Sequence, residues 1–507
     1  MPEQINIIGI GGTGMRCVES FIHLCAMGMF DDTEVNILAL DTDIANGNFK
    51  RVRELVGNYN KVNGGKALSD TFFSAKINYN EFSPEYGEET TFDSISDYST
   101  AQKRSIGGNE AFHESDIVDL FLTKEVRGMS LHHGYRAQTQ MGSMLMYHAI
   151  IEAAEKVAEN PQRPSGLRNF LSYLKEGTKH KVFIFGSVFG GTGASSIPIL
   201  PEALNIAAKL IFSNPDINIL NGNYFGSVVL TGYFTFDYRK GGEVSADASK
   251  FALNSQAALM FYRSDPTVEK TYNRLYLIGR DSSVKLPSDT GFDTGGEKQK
   301  TPVDYIELLA AFAAYDFFKE SKKDKAFERQ QDESIFYYMQ ADENERLDFI
   351  NFTDDNAKFK NRFGCFVAAA MTNARGDFFR QMANQYLKSI KEKEELEPLN
   401  NFIKAFYDAS AHSGWAQQMY DSAGAQGMLF HPNVFDKGID IRKKKYNKEM
   451  FYGDSPEQFS ASGLFGDALW DKVRNTFEKE TDASKNQTMG HLMERTYATF
   501  NKLYFNK

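Results

Sequence analysis

Cysteine is scarce in this sequence: Cys17, Cys25 and Cys365 are the only three among 507 residues, and no two form a CxxC pair. That excludes a disulfide framework and a thiolate zinc site, leaving three small buried hydrophobes suited to a reducing compartment. Long apolar runs are also lacking. None approaches the roughly 20 residues needed to span a bilayer. The first apolar run follows directly on Met1-Pro2-Glu3-Gln4, which leaves no room for a signal peptide, so a cytoplasmic setting with no membrane segment is expected. Positive charge is in deficit, with 57 Lys and Arg against 67 Asp and Glu and a net charge of −10. This argues against a nucleic-acid partner bound by broad phosphate neutralisation. His132 and His133 are adjacent rather than at metal-ligand spacing. The basic run "IRKKKYNK" from Ile441 reads as a solvated face.

Aromatic residues, by contrast, are plentiful. With 42 Phe, 24 Tyr and a 42% hydrophobic fraction, the chain can build two or three domains, or one large domain with insertions. Ile5 to Ile10 is an apolar run bounded by glycine, as expected of a strand buried on both faces. After it Met15, Val18, Phe21, Ile22 and Cys25 recur at helical spacing, and "EVNILAL" from Glu34 to Leu40 is a second strand. Together these read as a right-handed β-α-β unit opening a doubly wound, Rossmann-like parallel sheet.

Residues 61–127 are rich in Ser, Tyr, Asn, Gly and acids, and read as an insertion or mobile excursion. Regularity returns with a helix in "MGSMLMYHAIIEAAEKVAE", then a strand and glycine turn in "KVFIFGSVFGGTGASSIPIL" from Lys181, and a helix through about Ala208. "SVVLTGYFTF" from Ser227 and "RLYLIGR" from Arg274 are further strands, with a helix in "ASKFALNSQAALMFYRS" between them. Thr301 and Pro302 suit a helix cap and first position. From Val303 to Phe318 the helix is apolar on nearly every face, so a central location is expected. The pattern thus predicts an α/β domain over 1–318 with its central helix at 301–318. An α+β C-terminal domain over 319–507 follows, with "CFVAAAMT" as its strongest strand.

The chemistry concentrates in two glycine turns, each running from a strand end into a helix. Such a turn aims backbone N–H groups at an anion, no Cβ blocks the approach, and the helix dipole adds a favourable field. Gly9, Gly11, Gly12 and Gly14 with Thr13 form the first, a GxGGTG pattern. Asp41 after the second strand is where a dinucleotide fold places its ribose acceptor. Gly190, Gly191, Thr192 and Gly193 form the second. An NAD site needs one pyrophosphate turn, whereas a triphosphate gripped from two strand ends calls for more donors. No GxxxxGK[ST] accompanies either turn, which disfavours a lysine cradle.

"IGIGGTG", "ALDTD" and "FGGTGAS" resemble, in order, the first, second and fourth nucleotide loops of the tubulin/FtsZ superfamily, and its divergent prokaryotic tubulin-like members in particular. Phe189 and Ser195 replace the outer glycines of the family's GGGTG[ST]G. The resemblance covers roughly Ile5 to Phe318. It implies GTP or GDP held with its phosphates on Gly11, Gly12, Thr13, Gly14, Gly190, Gly191, Thr192 and Gly193. "HHGYRAQ" stands at the γ-phosphate-sensing loop, which gives that role to Gly134, Tyr135, Arg136 and Ala137; an arginine there can bridge phosphate oxygens. Asp41 and Asp43 match the loop that holds Mg2+ through water, with ribose binding by Asp41 the alternative. Asn254 resembles the asparagine that reads the guanine edge; Tyr305, near the start of the central helix, is a candidate to stack on the base, with core packing the alternative.

In this family a neighbouring subunit completes hydrolysis through a GxxNxDxxD loop. The nearest match, "LDFINFTDDN" with Asn351, Asp354 and Asp355, is imperfect and lies well downstream of Phe318. The implied function is a GTP-binding protein that polymerises with itself head to tail, with GTPase activity left open and a further partner open to the C-terminal region. The competing reading is an NAD- or ATP-dependent Rossmann-type enzyme, which leaves the second turn unexplained.

Overall fold

The computed structural model describes residues 2–92 (save 44 and 88), 123–175 (save 133, 136 and 137), 180–239, 248–280, 284–320 (save 287, 289, 290 and 294), 335–341, 356–386, 393–423 (save 409, 411 and 412), 467–479 and 488–504. Its centre is a seven-stranded sheet, every neighbouring pair parallel: β1 (Glu3–Ile10), β2 (Thr33–Leu40), β3 (Lys76–Phe82), β4 (His180–Ser187), β5 (Asn223–Leu230), β7 (Arg274–Arg280) and β9 (Ile335–Ala341). The spatial order is β3-β2-β1-β4-β5-β7-β9, while β6 (Phe234–Thr235) and β8 (Val284–Lys285) form a separate two-stranded ribbon. The order reverses between β1 and β4, and in such sheets that switch point opens a crevice at the carboxyl ends of the strands. The glycine turns leave the sheet at those two ends.

Side chains alternate between two cores, as the period of two in a strand requires. Ile5, Ile7, Val35, Ile37, Phe183 and Phe185 face one; Ile8, Ile10, Leu38, Leu40, Val182 and Ile184 face the other. The first is covered by α1 (Gly11–Ala26) and α2 (Gly47–Asn63), and the second by α3 (Thr139–Glu159) and, beyond the short α4 (Gly191–Ser196), by α5 (Leu200–Ile211) and α6 (Phe251–Ser264). The central helix α7 (Tyr305–Glu320) lies on the first side, and Ile306, Leu308, Ala310, Phe312, Ala314 and Phe317 are all essentially buried. Its apolar surroundings match the expectation from Val303–Phe318. No helix among the described residues is long and apolar enough to cross a membrane.

Several expectations are corrected. Residues 61–127 are not wholly an excursion, because "KINYNEF" within them is the edge strand β3, paired in register with β2. The cap of α7 is Asp304 rather than Thr301: its Oδ1 accepts the Ile306 N–H at 3.0 Å. The helix after the second glycine turn breaks between Ser196 and Leu200, around Pro198, into α4 and α5. "SVVLTGYFTF" divides into the end of β5 and the short β6. "CFVAAAMT" lies inside α8 (Asn356–Gly376), not in a strand. A short buried apolar run fits either state, and here Phe359 and Phe363, buried at helical spacing before it, carry the helix through. Beyond residue 318, the one strand among the described residues, β9, joins the main sheet. Phe363 and Phe366 of α8, Phe402 and Phe406 of α9 (Lys393–Phe406) and Trp415 of α10 (Trp415–Ala423) enter the same buried cluster as α1.

Candidate functional site

Both glycine turns open into one cleft at the switch point. β1 ends at Ile10 and α1 begins at Gly11, whose φ of +68° is a left-handed conformation that favours glycine. No side chain caps α1, so the N–H groups of its first turn have no side-chain acceptor. A Cβ on Gly14 would stand 2.5 Å from the Phe185 carbonyl oxygen, so α1 can pass this close to β4 only as glycine. On the other side β4 ends at Ser187, and a Cβ on Gly193 would stand 2.5 Å from the Ser187 carbonyl oxygen. The two turns then meet: a Cβ on Gly11 would lie 3.7 Å from Thr192 Cβ and 3.9 Å from the Gly193 nitrogen. The cleft has Gly11, Gly12, Thr13 and Gly190 to Gly193 on its walls.

Asp41 ties the turns together. Its Oδ1 accepts the Thr192 hydroxyl at 3.0 Å and the Thr42 N–H at 2.8 Å, and its Oδ2 accepts the Asn46 amide at 3.2 Å. Burial, and then the neighbouring Asp43, push its pKa up to about 7. Asp43 Oδ2 accepts the Gly296 N–H at 2.8 Å, which fastens the segment before α7 over the end of β2. Among the described residues no group of three His, Cys, Asp or Glu side chains could hold a metal ion. Two neighbouring carboxylates do suit a Mg2+ whose remaining ligands are phosphate oxygens and water.

The cleft floor holds a charge pair that reading the sequence missed. Arg16 of α1 lines the cleft, yet it is almost fully buried, and its Nε donates to Glu307 Oε1 of α7 at 2.5 Å. Its Nη2 donates to the Tyr233 hydroxyl at 3.1 Å and to Thr13 Oγ1 at 3.3 Å, and Tyr233 donates to Glu307 at 2.6 Å. Burial acts to lower the pKa of Arg16, but Glu307 and Tyr233 outweigh it and hold the guanidinium charged. Glu307 Oε2 also accepts the Asp304 N–H at 3.1 Å, and Asp304 pairs with Arg280 at 3.0 Å. Burial lifts Asp304 to about 7 against the pull of Arg280. Arg280 further donates to the Ser422 carbonyl of α10 at 3.0 Å. A continuous polar chain thus runs from the first glycine turn through the start of the central helix to α10.

The cleft's other end is aromatic, with Phe189, Phe234, Phe236, Phe251 and Phe292 on its walls beside Asp293. Apart from Phe189, which stands in the second turn's motif, these phenylalanines carry no signal in the sequence. Gly134, with φ of +99°, and Tyr135 also line the cleft, the former within 3.6 Å of Thr192 Oγ1 measured from a Cβ position. Asn254 sits on α6 beside the second turn and donates to the Phe189 carbonyl at 3.3 Å, outside the cleft lining. Tyr305 is also outside that lining; the Arg280 guanidinium lies 4.3 Å over its ring and donates to its hydroxyl at 3.2 Å. Arg136, Ala137, Asn351, Asp354 and Asp355 lie outside the described residues. No family model matches the chain, and no curated protein matches it.

Proposed function

We propose that the chain is a GTP-binding protein of tubulin-like type that assembles with itself head to tail, any hydrolysis being completed by residues of the next subunit. The observation that carries the nucleotide reading is the meeting of two glycine turns, from β1 and β4, in one cleft at the switch point of the sheet. A lone turn would serve a pyrophosphate; two facing turns supply donors along a longer chain of phosphates. The aromatic end offers π faces for a base. The cleft wall carries Asp41, Asp43 and Asp293, while Arg16, the one cation among its described lining residues, is paired with Glu307. A polyphosphate therefore needs Mg2+ to screen it from those acids. A head-to-tail contact between copies is heterologous and builds an open fibre.

Titration of GTP into the purified protein, with and without Mg2+, tests the binding step. Gly191→Asp, which sets a carboxylate against the phosphates, should abolish binding; retained affinity would remove the second turn from the site. Sedimentation with GTP then tests assembly, and protein that stays in the supernatant at high concentration would refute it.

A further inference from the structure

Among the described residues on the cleft wall, three carry a side-chain N–H donor: Arg16, Asn46 and Gln299. Two of them are engaged within the protein. Arg16 donates to Glu307, Tyr233 and Thr13, and the Asn46 amide donates to Asp41 Oδ2 at 3.2 Å and to the Asp43 carbonyl at 2.6 Å. Gln299 differs from both. The residue is half-buried, its side chain makes no hydrogen bond to a described residue, and its Nε2 lies 3.9 Å from where a Cβ on Gly12 would stand. The donor end of the side chain, and not merely its stem, is therefore at the first glycine turn.

The backbone that carries it is fixed. Gly296 donates its N–H to Asp43 Oδ2 at 2.8 Å, and its carbonyl accepts the N–H groups of Gly47 and Gln299 at 3.2 and 3.1 Å. Arg51 donates to the Thr301 carbonyl at 3.3 Å. A Cβ on Gly47 would stand 2.6 Å from the Gln299 carbonyl oxygen, so residues 296–301 can lie this close to the start of α2 only against glycine. Anchors on both sides of position 299 reduce what ordering its side chain on a ligand costs.

Resting on the nucleotide reading above, we infer that Gln299 is a further ligand-binding residue, its Nε2 donating to a phosphate oxygen held at the first glycine turn. An amide fits this place because it adds a donor without a charge, beside two aspartates with which a lysine would pair instead. The contact also ties the ligand to the segment that leads into the central helix, which begins at Tyr305.

The test is calorimetric titration of the whole chain with GTP and Mg2+, for wild type, Gln299→Ala and Gln299→Glu. No binding by wild type would overturn the nucleotide reading and this inference with it. Given wild-type binding, Gln299→Ala should bind about 10-fold more weakly, the loss of one hydrogen bond to a charged group. Gln299→Glu should bind more weakly again, because a carboxylate of the same shape then faces the phosphates. The thermal midpoints of both nucleotide-free variants should match wild type, since neither change removes a hydrogen bond to a described residue. An alanine variant that binds within twofold of wild type would overturn the inference alone. So would a lowered midpoint with equal losses of affinity in the two variants, the mark of a structural role.

Discussion

Glu307→Gln is the perturbation that most directly probes how the cleft floor is held. The Arg16 and Glu307 side chains are 3% and 0% exposed, and the carboxylate accepts from Arg16, Tyr233 and the Asp304 N–H together. Glutamine keeps the shape but removes the charge, and it leaves the Arg16 guanidinium buried and uncompensated. Breaking a buried pair from one side costs about 3–5 kcal/mol, mostly the desolvation of the charge left behind. Replacing both partners by apolar residues, as in Arg16→Met with Glu307→Leu, should cost far less, because the same desolvation is then avoided. Urea unfolding of wild type, Arg16→Met, Glu307→Leu and the double variant, followed by fluorescence, gives the coupling energy, with Glu307→Gln measured beside them. A single Gln substitution costing under about 1 kcal/mol would show that water reaches the pair, and the argument for a dry, charge-locked floor would fail.

Two buried titrating groups give opposite pH dependences. Asp41 has a folded pKa raised from 3.8 to about 7, so its folded-state advantage is complete below pH 3.8 and is lost as pH rises toward 7. At about 1.4 kcal/mol per unit, Asp41→Asn should flatten the stability profile of the nucleotide-free protein over that window by a few kcal/mol; an unchanged slope would contradict the buried-acid assignment. His23 is held by burial, and then by Arg51, down to about 3 from 6.5, so stability falls as pH drops below 6.5 and continues to fall toward 3. Its ring packs against Phe402, Phe406 and Trp415, and His23→Phe should remove that acid sensitivity in denaturation measured between pH 4 and 6.5. Gly14→Ala drives a methyl to 2.5 Å from the Phe185 carbonyl oxygen. It should cost about 1–3 kcal/mol and weaken GTP binding, a result read by the same unfolding and titration assays.

The parts of the fold that were legible in the sequence are those whose physics is local. β1, β2 and β4 are buried on both faces and therefore appear as mostly apolar runs, with β1 and β4 leading into glycine turns. The turns that follow announce themselves because only glycine tolerates the close approaches at Gly14 and Gly193. β3 was illegible for the converse reason: as a half-buried edge strand it reads "KINYNEF", with polar residues on both faces. The identity of α8 was lost because its buried centre, "CFVAAAMT", has no polar face to set a period. In the site, Gly11, Gly12, Asp41 and Thr192 were found through their motifs and do come together. Arg16 and Glu307 were not, since a charged residue in sequence is ordinarily a solvated one and nothing local links positions 291 residues apart. Phe234, Phe236 and Phe292 escaped for the same reason: a phenylalanine looks alike whether it fills a core or walls a cleft.

The central claim is that the cleft between the two turns holds a guanine nucleotide. Protein purified without added nucleotide, denatured and its released small molecules resolved by chromatography, tests this in one step. GDP or GTP approaching one per chain is the result expected here. Bound NAD, or an adenine nucleotide with no guanine nucleotide, would contradict it and return the chain to the dinucleotide- or ATP-using enzymes.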